Sequence, residues 1–241
     1  MEIRPFGFAD IHRALAEGWR AAGRTRAASG AYAGIFTLIG AVILGALLVR
    51  GFTPFVIAAA GAFMLVGPAI LAGFFGIARA DESDPPARLA DAARGYAAAP
   101  PAIWVVALIC ALLFMIFVTD AAILYSYMVG GAPVWLSGLI PATPGVASFL
   151  IWGAISGFVI AFLLFCVSAF SVPLLCERRA GLVNAVVASV RAVFGNFLPA
   201  MAWAALLSAL VIGSILLLPL LPLALPWLAF ASRALYRHVF P

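Results

Sequence analysis

The 241-residue sequence has no lysine, two histidines, three cysteines and charged residues at only 10% of its positions. Each scarcity excludes something. A soluble globular domain carries about 25% charged and about 45–50% apolar residues. Here 66% of residues are hydrophobic and mean hydropathy is +1.18. No water-soluble fold can hide that much apolar surface, so lipid is part of the solvent. The cysteines, Cys110, Cys166 and Cys176, fall in or at the edge of apolar runs. They form no metal spacing and no disulfide framework, and read as small buried apolar residues. There is no HExxH, no phosphate loop, no paired-carboxylate site and no Ser/His/Asp set that apolar spans could assemble. The chain therefore reads as non-enzymatic, with no catalytic, cofactor-binding or metal-binding residue, no cofactor and no nucleic-acid partner.

What is present is apolar sequence in long unbroken runs. No charge occurs at 27–49, 51–78, 95–119, 121–176 or 192–232. About 20 apolar residues cross the hydrocarbon core as a helix, and backbone groups in lipid must be satisfied internally. The expectation is an all-α polytopic membrane helix bundle of about six spans. These are placed near Ala31–Val49, Pro54–Ala78, Ala102–Tyr125, Val146–Leu175, Phe197–Ile212 and Ile215–Tyr236, with turns at Arg50-Gly51 and Gly213-Ser214. The segment Gly130–Gly145 has loop composition, and Trp135 in it suits the headgroup boundary. The first run starts only after Arg26, behind a charged segment, so no cleavable signal peptide is expected.

All 14 basic residues are arginine, which reads as compositional bias. Their distribution is the stronger signal. Every one except Arg50 falls in the amino-terminal segment, the loop after span two, the segment after span four or the carboxyl tail. The positive-inside rule then places both termini in the cytoplasm of a bacterial inner membrane.

Three of those segments carry a short amphipathic helix that leads into a pair of spans. In Phe8–Arg24, Phe8, Ile11, Leu15, Trp19 and Ala22 share one face, opposite Asp10, Arg13, Glu17, Arg20 and Arg24. In Pro85–Ala99, Leu89, Ala93 and Tyr96 lie opposite Arg88, Asp91 and Arg94, with Asp84 at the helix start. In Gly181–Phe194, Leu182, Val186, Val190 and Val193 lie opposite Asn184 and Arg191. These read as three cytoplasmic interfacial helices. Arg13, Arg20, Arg24, Arg88, Arg94 and Arg191 are the candidate contacts to anionic lipid headgroups. Residues 1–241 then form a single membrane domain with an internal threefold repeat, in units of about 8–80, 81–176 and 177–241.

The stretches "SVPLLCERR" (Ser171–Arg179), "SVRAVFGNFLPAMAWA" (Ser189–Ala204) and "GPAILAGFFGIARADES" (Gly67–Ser83) resemble a bacterial family of predicted integral membrane proteins of unknown function. Some members of that family are loosely labelled cytochrome c oxidase subunits. A wider resemblance is to inner-membrane proteins with the same helix-plus-hairpin plan, including membrane domains attached to lipid phosphodiesterases. A haem–copper catalytic subunit needs several intramembrane histidines. His12 and His238 both lie outside the spans, so the resemblance implies at most a partner of such a subunit.

Two features inside the spans remain. Asp120 is the one acid within a span, toward its far interface and followed by Tyr125 and Tyr127. An intramembrane carboxylate is a candidate polar site for proton, substrate or partner contact. Gly153 and Gly157 form a GxxxG on span four, and Ala41 and Gly45 repeat the small-residue spacing on span one. Such faces pack within the chain or against a homo-oligomer or partner. The functional expectation is an accessory, assembly or scaffold partner of a membrane complex, a respiratory oxidase among them. Its rival is a small-molecule or lipid transporter or channel with a cleft gated by the interfacial helices.

Overall fold

The structure, a computed structural model, describes residues 3–50, 55–83, 86–130 and 144–241, with no account of side chains at 55–66, 69 and 216. The Gly51 turn, the Asp84 helix start and the Trp135 loop lie outside the described residues. Among the described residues, ten α-helices follow one another: α1 Phe8–Arg24, α2 Arg26–Val49, α3 Phe55–Ser83, α4 Leu89–Ala97, α5 Pro101–Val129, α6 Pro144–Ser168, α7 Ser171–Cys176, α8 Leu182–Gly195, α9 Phe197–Leu216 and α10 Leu221–Val239. Among the described residues, five stretches are long and apolar enough to cross a membrane: Arg26–Val49, Pro101–Val129, Pro144–Cys176, Phe197–Ile215 and Leu218–Val239. α3 occupies the remaining expected span, and its 29 residues reach about 44 Å at 1.5 Å per residue. The result is an all-α polytopic bundle.

Helix ends follow local chemistry, and two differ from expectation. The fifth and sixth spans do not part at Gly213-Ser214. There the helix continues, with Leu217 N–H bonding the Gly213 carbonyl and Ser214 Oγ the Val211 carbonyl. The break comes at the 3-10 turn Leu218–Leu220, where Pro219 and Pro222 lack the N–H a helix needs. Span four is also broken, between α6 and α7. Pro173 cannot donate to the Ala169 carbonyl. The neighbouring i,i+4 pair that the break also opens, Phe170 N–H and the Cys166 carbonyl, is bridged from α8: Phe170 N–H bonds Ser189 Oγ at 3.1 Å, and that hydroxyl donates to the Cys166 carbonyl at 2.8 Å. Ser189 belongs to α8 and is fully buried. A helix can break inside a bilayer only with such repair.

The three short helices each pack against a span, with small residues at the closest contacts. α1 runs antiparallel beside α10, with Arg4 N–H on the Val239 carbonyl and Trp227 Nε1 donating to the Leu15 carbonyl. Its buried residues are Ile11, Ala14, Gly18 and Ala22, while Phe8 and Trp19 are exposed. In α4 the buried residues are Asp91, Ala92 and Gly95, and Leu89 and Ala93 are exposed. In α8 they are Ala185, Ala188, Ser189, Ala192 and Val193; Val183, Val187 and Phe194 point outward. The closest seam to protein runs along small residues, flanked by Ile11, Val186 and Val193, while Phe8, Trp19, Leu89, Val183, Val187 and Phe194 face the medium. Where that medium is lipid, burying a large apolar residue against protein gains little, and close approach gains more.

The closest approaches are made at glycine. A Cβ on Gly18 would stand 2.5 Å from Ala231 N, and one on Gly95 would stand 2.9 Å from the Gly76 Cα. Tyr32 ties three helices: its hydroxyl bonds the Ile70 carbonyl at 3.2 Å and the Tyr96 hydroxyl at 2.8 Å.

Candidate functional site

The polar groups of the bundle gather where span ends meet. Arg233 and Arg237 stand one turn apart on α10, and both grip Glu82, at the end of α3, with two hydrogen bonds. For Arg233 these are Nη1–Oε1 at 2.7 Å and Nη2–Oε2 at 3.1 Å; for Arg237 they are 2.8 and 3.2 Å. Both Nε atoms turn to Glu177 Oε1, just past α7, at 3.2 and 3.4 Å. The Arg233 side chain is only 7% exposed and lies over the Phe75 ring at 5.9 Å. Burial works to raise the Glu82 carboxyl, but hydrogen bonds and charge from the two guanidinium groups outweigh it and hold it below the usual carboxylate range.

Further bonds extend this layer across the bundle. Arg24, at the end of α1, pairs with Asp81 at 3.0 Å. Arg79 donates to the Cys176 carbonyl at 3.1 Å, and Arg178 to the Ala98 carbonyl at 2.9 Å. Arg179 donates to the carbonyls of Phe240 and Pro241. Phe6 N–H bonds Asn196 Oδ1 at 3.1 Å, before α9. One end of each of α2, α3, α5, the α6–α7 pair, α9 and α10 thus meets a single polar layer. Arg178 has φ 54°, the left-handed conformation a glycine usually supplies at a helix end. Arg178 N–H bonds the Leu175 carbonyl and Arg179 N–H the Leu174 carbonyl, which closes α7 in a Schellman motif.

Beside the charge cluster lies a cleft of about 220 Å³, with Glu17, Arg20 and Arg24 of α1 on one wall and Asp81, Arg233 and Arg237 on the other. The candidate headgroup arginines stand at this same end, and all six are exposed. Arg13 lies 3.6 Å from Asp10, Arg24 pairs with Asp81 and Arg94 with Asp91 at 2.7 Å. Arg20 Nε bonds its own Ala16 carbonyl. Among the described residues, the side chains of Arg88 and Arg191 make no hydrogen bond or ion pair. His12 is exposed, and His238 Nε2 lies 3.3 Å from Asp10 Oδ1.

Asp120 stands alone. It lies 19 positions beyond Pro101 on α5, about 28 Å from the charge layer along the helix. It is half-buried, and its Oδ2 is shut off from solvent without a hydrogen-bond partner among the described residues. Tyr127, past it, is 88% exposed, while Tyr125 is buried edge-on to Phe149. Gly157 meets α5, where an added Cβ would stand 3.2 Å from Phe117 Cε2. Gly153 and Gly45 have nothing within 4 Å. The three cysteines are free and buried.

The residues that build the charge layer, Arg79, Glu82, Glu177, Arg178, Arg179, Arg233 and Arg237, lie outside the candidate residues of the sequence. One signal was available. Arg233 and Arg237 are an i,i+4 arginine pair, a spacing that is costly unless acids sit between the two.

Residues 55–177 match the family model described as "Predicted integral membrane protein (DUF2189)". No curated protein and no solved structure matches the chain.

Proposed function

We propose, for a chain that belongs to this DUF2189 family of integral membrane proteins, an accessory role: a non-enzymatic scaffold or assembly partner of a membrane complex. The observation that carries this reading is Asp120. A carboxylate with a closed-off, unpartnered oxygen in an apolar helix is costly, and a cation supplied by another chain removes that cost. The family resemblance makes a respiratory oxidase the first complex to seek. Localisation belongs to the same proposal: a bacterial inner membrane, with the arginine-bearing layer and both termini in the cytoplasm, as the positive-inside rule requires.

The rival is a transporter, and one observation favours it. An apolar cleft of about 160 Å³ opens between α3, α6–α7, α9 and α10, lined in part by Pro68, Phe165, Trp203 and Leu228. Against it stands the charge layer. Opening this cleft by moving α3 against α10 would break the bonds of Glu82 to Arg233 and Arg237. Those bonds support a rigid platform over a rocking one.

The test is a mild-detergent pull-down of wild type, Asp120→Asn and Asp120→Leu. An accessory protein co-purifies with a larger complex, and Asp120→Leu loses it. Retention of the same partners by Asp120→Leu, together with loss of a flux on Asp120→Asn in proteoliposomes, contradicts the accessory reading and favours the transporter.

A further inference from the structure

A groove of about 620 Å³ runs between the α1–α2 junction and the start of α10. That volume lies within the roughly 300–1,000 Å³ of sites that hold small ligands. One wall carries Trp19, Arg26 and Gly30, and the other Pro219, Pro222 and Pro226. The proline wall offers no N–H at three positions and presents ring carbons. Trp19, 51% exposed and edge-on to Trp227 at 5.3 Å, sits where an aromatic belt residue belongs.

Arg26 decides what fits. It is exposed, at the first position of α2, and its side chain has no ion pair or hydrogen bond among the described residues. No acid among those residues lines the groove, and Asp81 and Glu82 are engaged elsewhere, by Arg24 and by Arg233 and Arg237. The groove is therefore lined mostly by apolar groups, with Arg26 the one cation among its described residues and Ser29 already donating to the Thr25 carbonyl. We propose that it is a discrete binding site for an anionic glycerophospholipid, with the phosphate on Arg26 and an acyl chain along the proline wall. Arg26 is not among the arginines that the amphipathic pattern assigns to headgroups. A held lipid here would also differ from bulk leaflet contact by surviving purification.

The experiment is native mass spectrometry of the full chain in mild detergent, delipidated and then offered phosphatidylglycerol or phosphatidylcholine with identical acyl chains. Wild type is expected to retain one phosphatidylglycerol in preference to phosphatidylcholine. Arg26→Gln is expected to bind phosphatidylglycerol about fivefold more weakly, the loss of one arginine–lipid contact, and to lose the preference. Gly30→Leu fills the groove without touching the protein, because a Cβ at Gly30 meets nothing within 4 Å. It is expected to lose both lipids while keeping the wild-type melting temperature. Gly23, on the same wall with the same open space, supplies Gly23→Leu should the first variant fail to fold. Equal retention of the two lipids by wild type, or wild-type retention by the groove-filling variant, overturns the proposal. So does displacement of the lipid by millimolar inorganic phosphate, which would mark a site for the ion alone.

Discussion

The two ends of α3 and α10 are held by different physics. At the arginine end, Glu82, Glu177, Arg233 and Arg237 share six hydrogen bonds between side chains, and Arg233 is almost wholly buried. Deeper in the bundle, cohesion comes from close contact. Gly73 lies against Tyr32, and Leu44 packs with Ile215 and Leu221. Among the described residues, Oδ2 of the intramembrane Asp120 has no hydrogen-bond partner. Charge is affordable at the boundary, where partners and water are at hand. In hydrocarbon, shape does the holding. Removing a charge should therefore harm the first region and relieve the second.

The largest effect that sharpens this contrast is expected from Arg233→Ala. It leaves Glu82 and Glu177 without their most buried partner and should cost about 3 kcal/mol or more, read from thermal unfolding in detergent. Asp120→Leu should do the reverse and raise the melting temperature, because it removes an orphaned carboxylate at a cost of one charge. Equal losses in the two variants would erase the distinction. Next in size is the glycine contrast. Gly76→Val drives a side chain into Gly95 and should cost about 1–3 kcal/mol, whereas Gly153→Val enters open space and should stay within about 0.5 kcal/mol. Ser189→Ala removes the repair of the α6–α7 break and should cost about 1 kcal/mol by the same assay.

The smallest effect is on pH. The Glu82 carboxyl is held below its ordinary value of 4.5. Its contribution is therefore full above that value and is lost as pH falls through the lowered one. The melting temperature should hold from pH 7 to pH 5 and fall below pH 4.5. Glu82→Gln should start lower and lose that part of the acid sensitivity.

The same contrast explains what could be read in the sequence. Spans were legible because the apolar runs are long and lipid forces them into helices. The extent of α1 and the span starts near Pro101 and Phe197 agree with the structure to within a residue or two. The inner faces of the short helices were not legible. Amphipathic spacing marks the face of Trp19 and Leu89, both exposed to the medium, but it does not single out Gly18 and Gly95, which make the closest contacts to protein. The charge layer was also hidden. Glu82 lies 151 positions from Arg233 and Glu177 lies 56 from it, so no local spacing reveals the pairs. The candidate headgroup arginines can be singled out because their i,i+3 and i,i+4 patterns are local, and their contact with lipid is a proposal. Asp120 stood out as the lone acid of its span, but its bare oxygen is a fact of packing.

The central claim is that the arginine-bearing segments share one face of the membrane, with Arg50 on the other. Single cysteines replacing Arg20, Arg94, Arg191 and Arg50, one at a time in a background with the buried native cysteines changed to alanine, can be labelled with a membrane-impermeant maleimide. The account predicts that Arg20→Cys, Arg94→Cys and Arg191→Cys react in inverted vesicles only and Arg50→Cys in right-side-out vesicles only. Labelling of Arg94→Cys from the face opposite Arg20→Cys would contradict it.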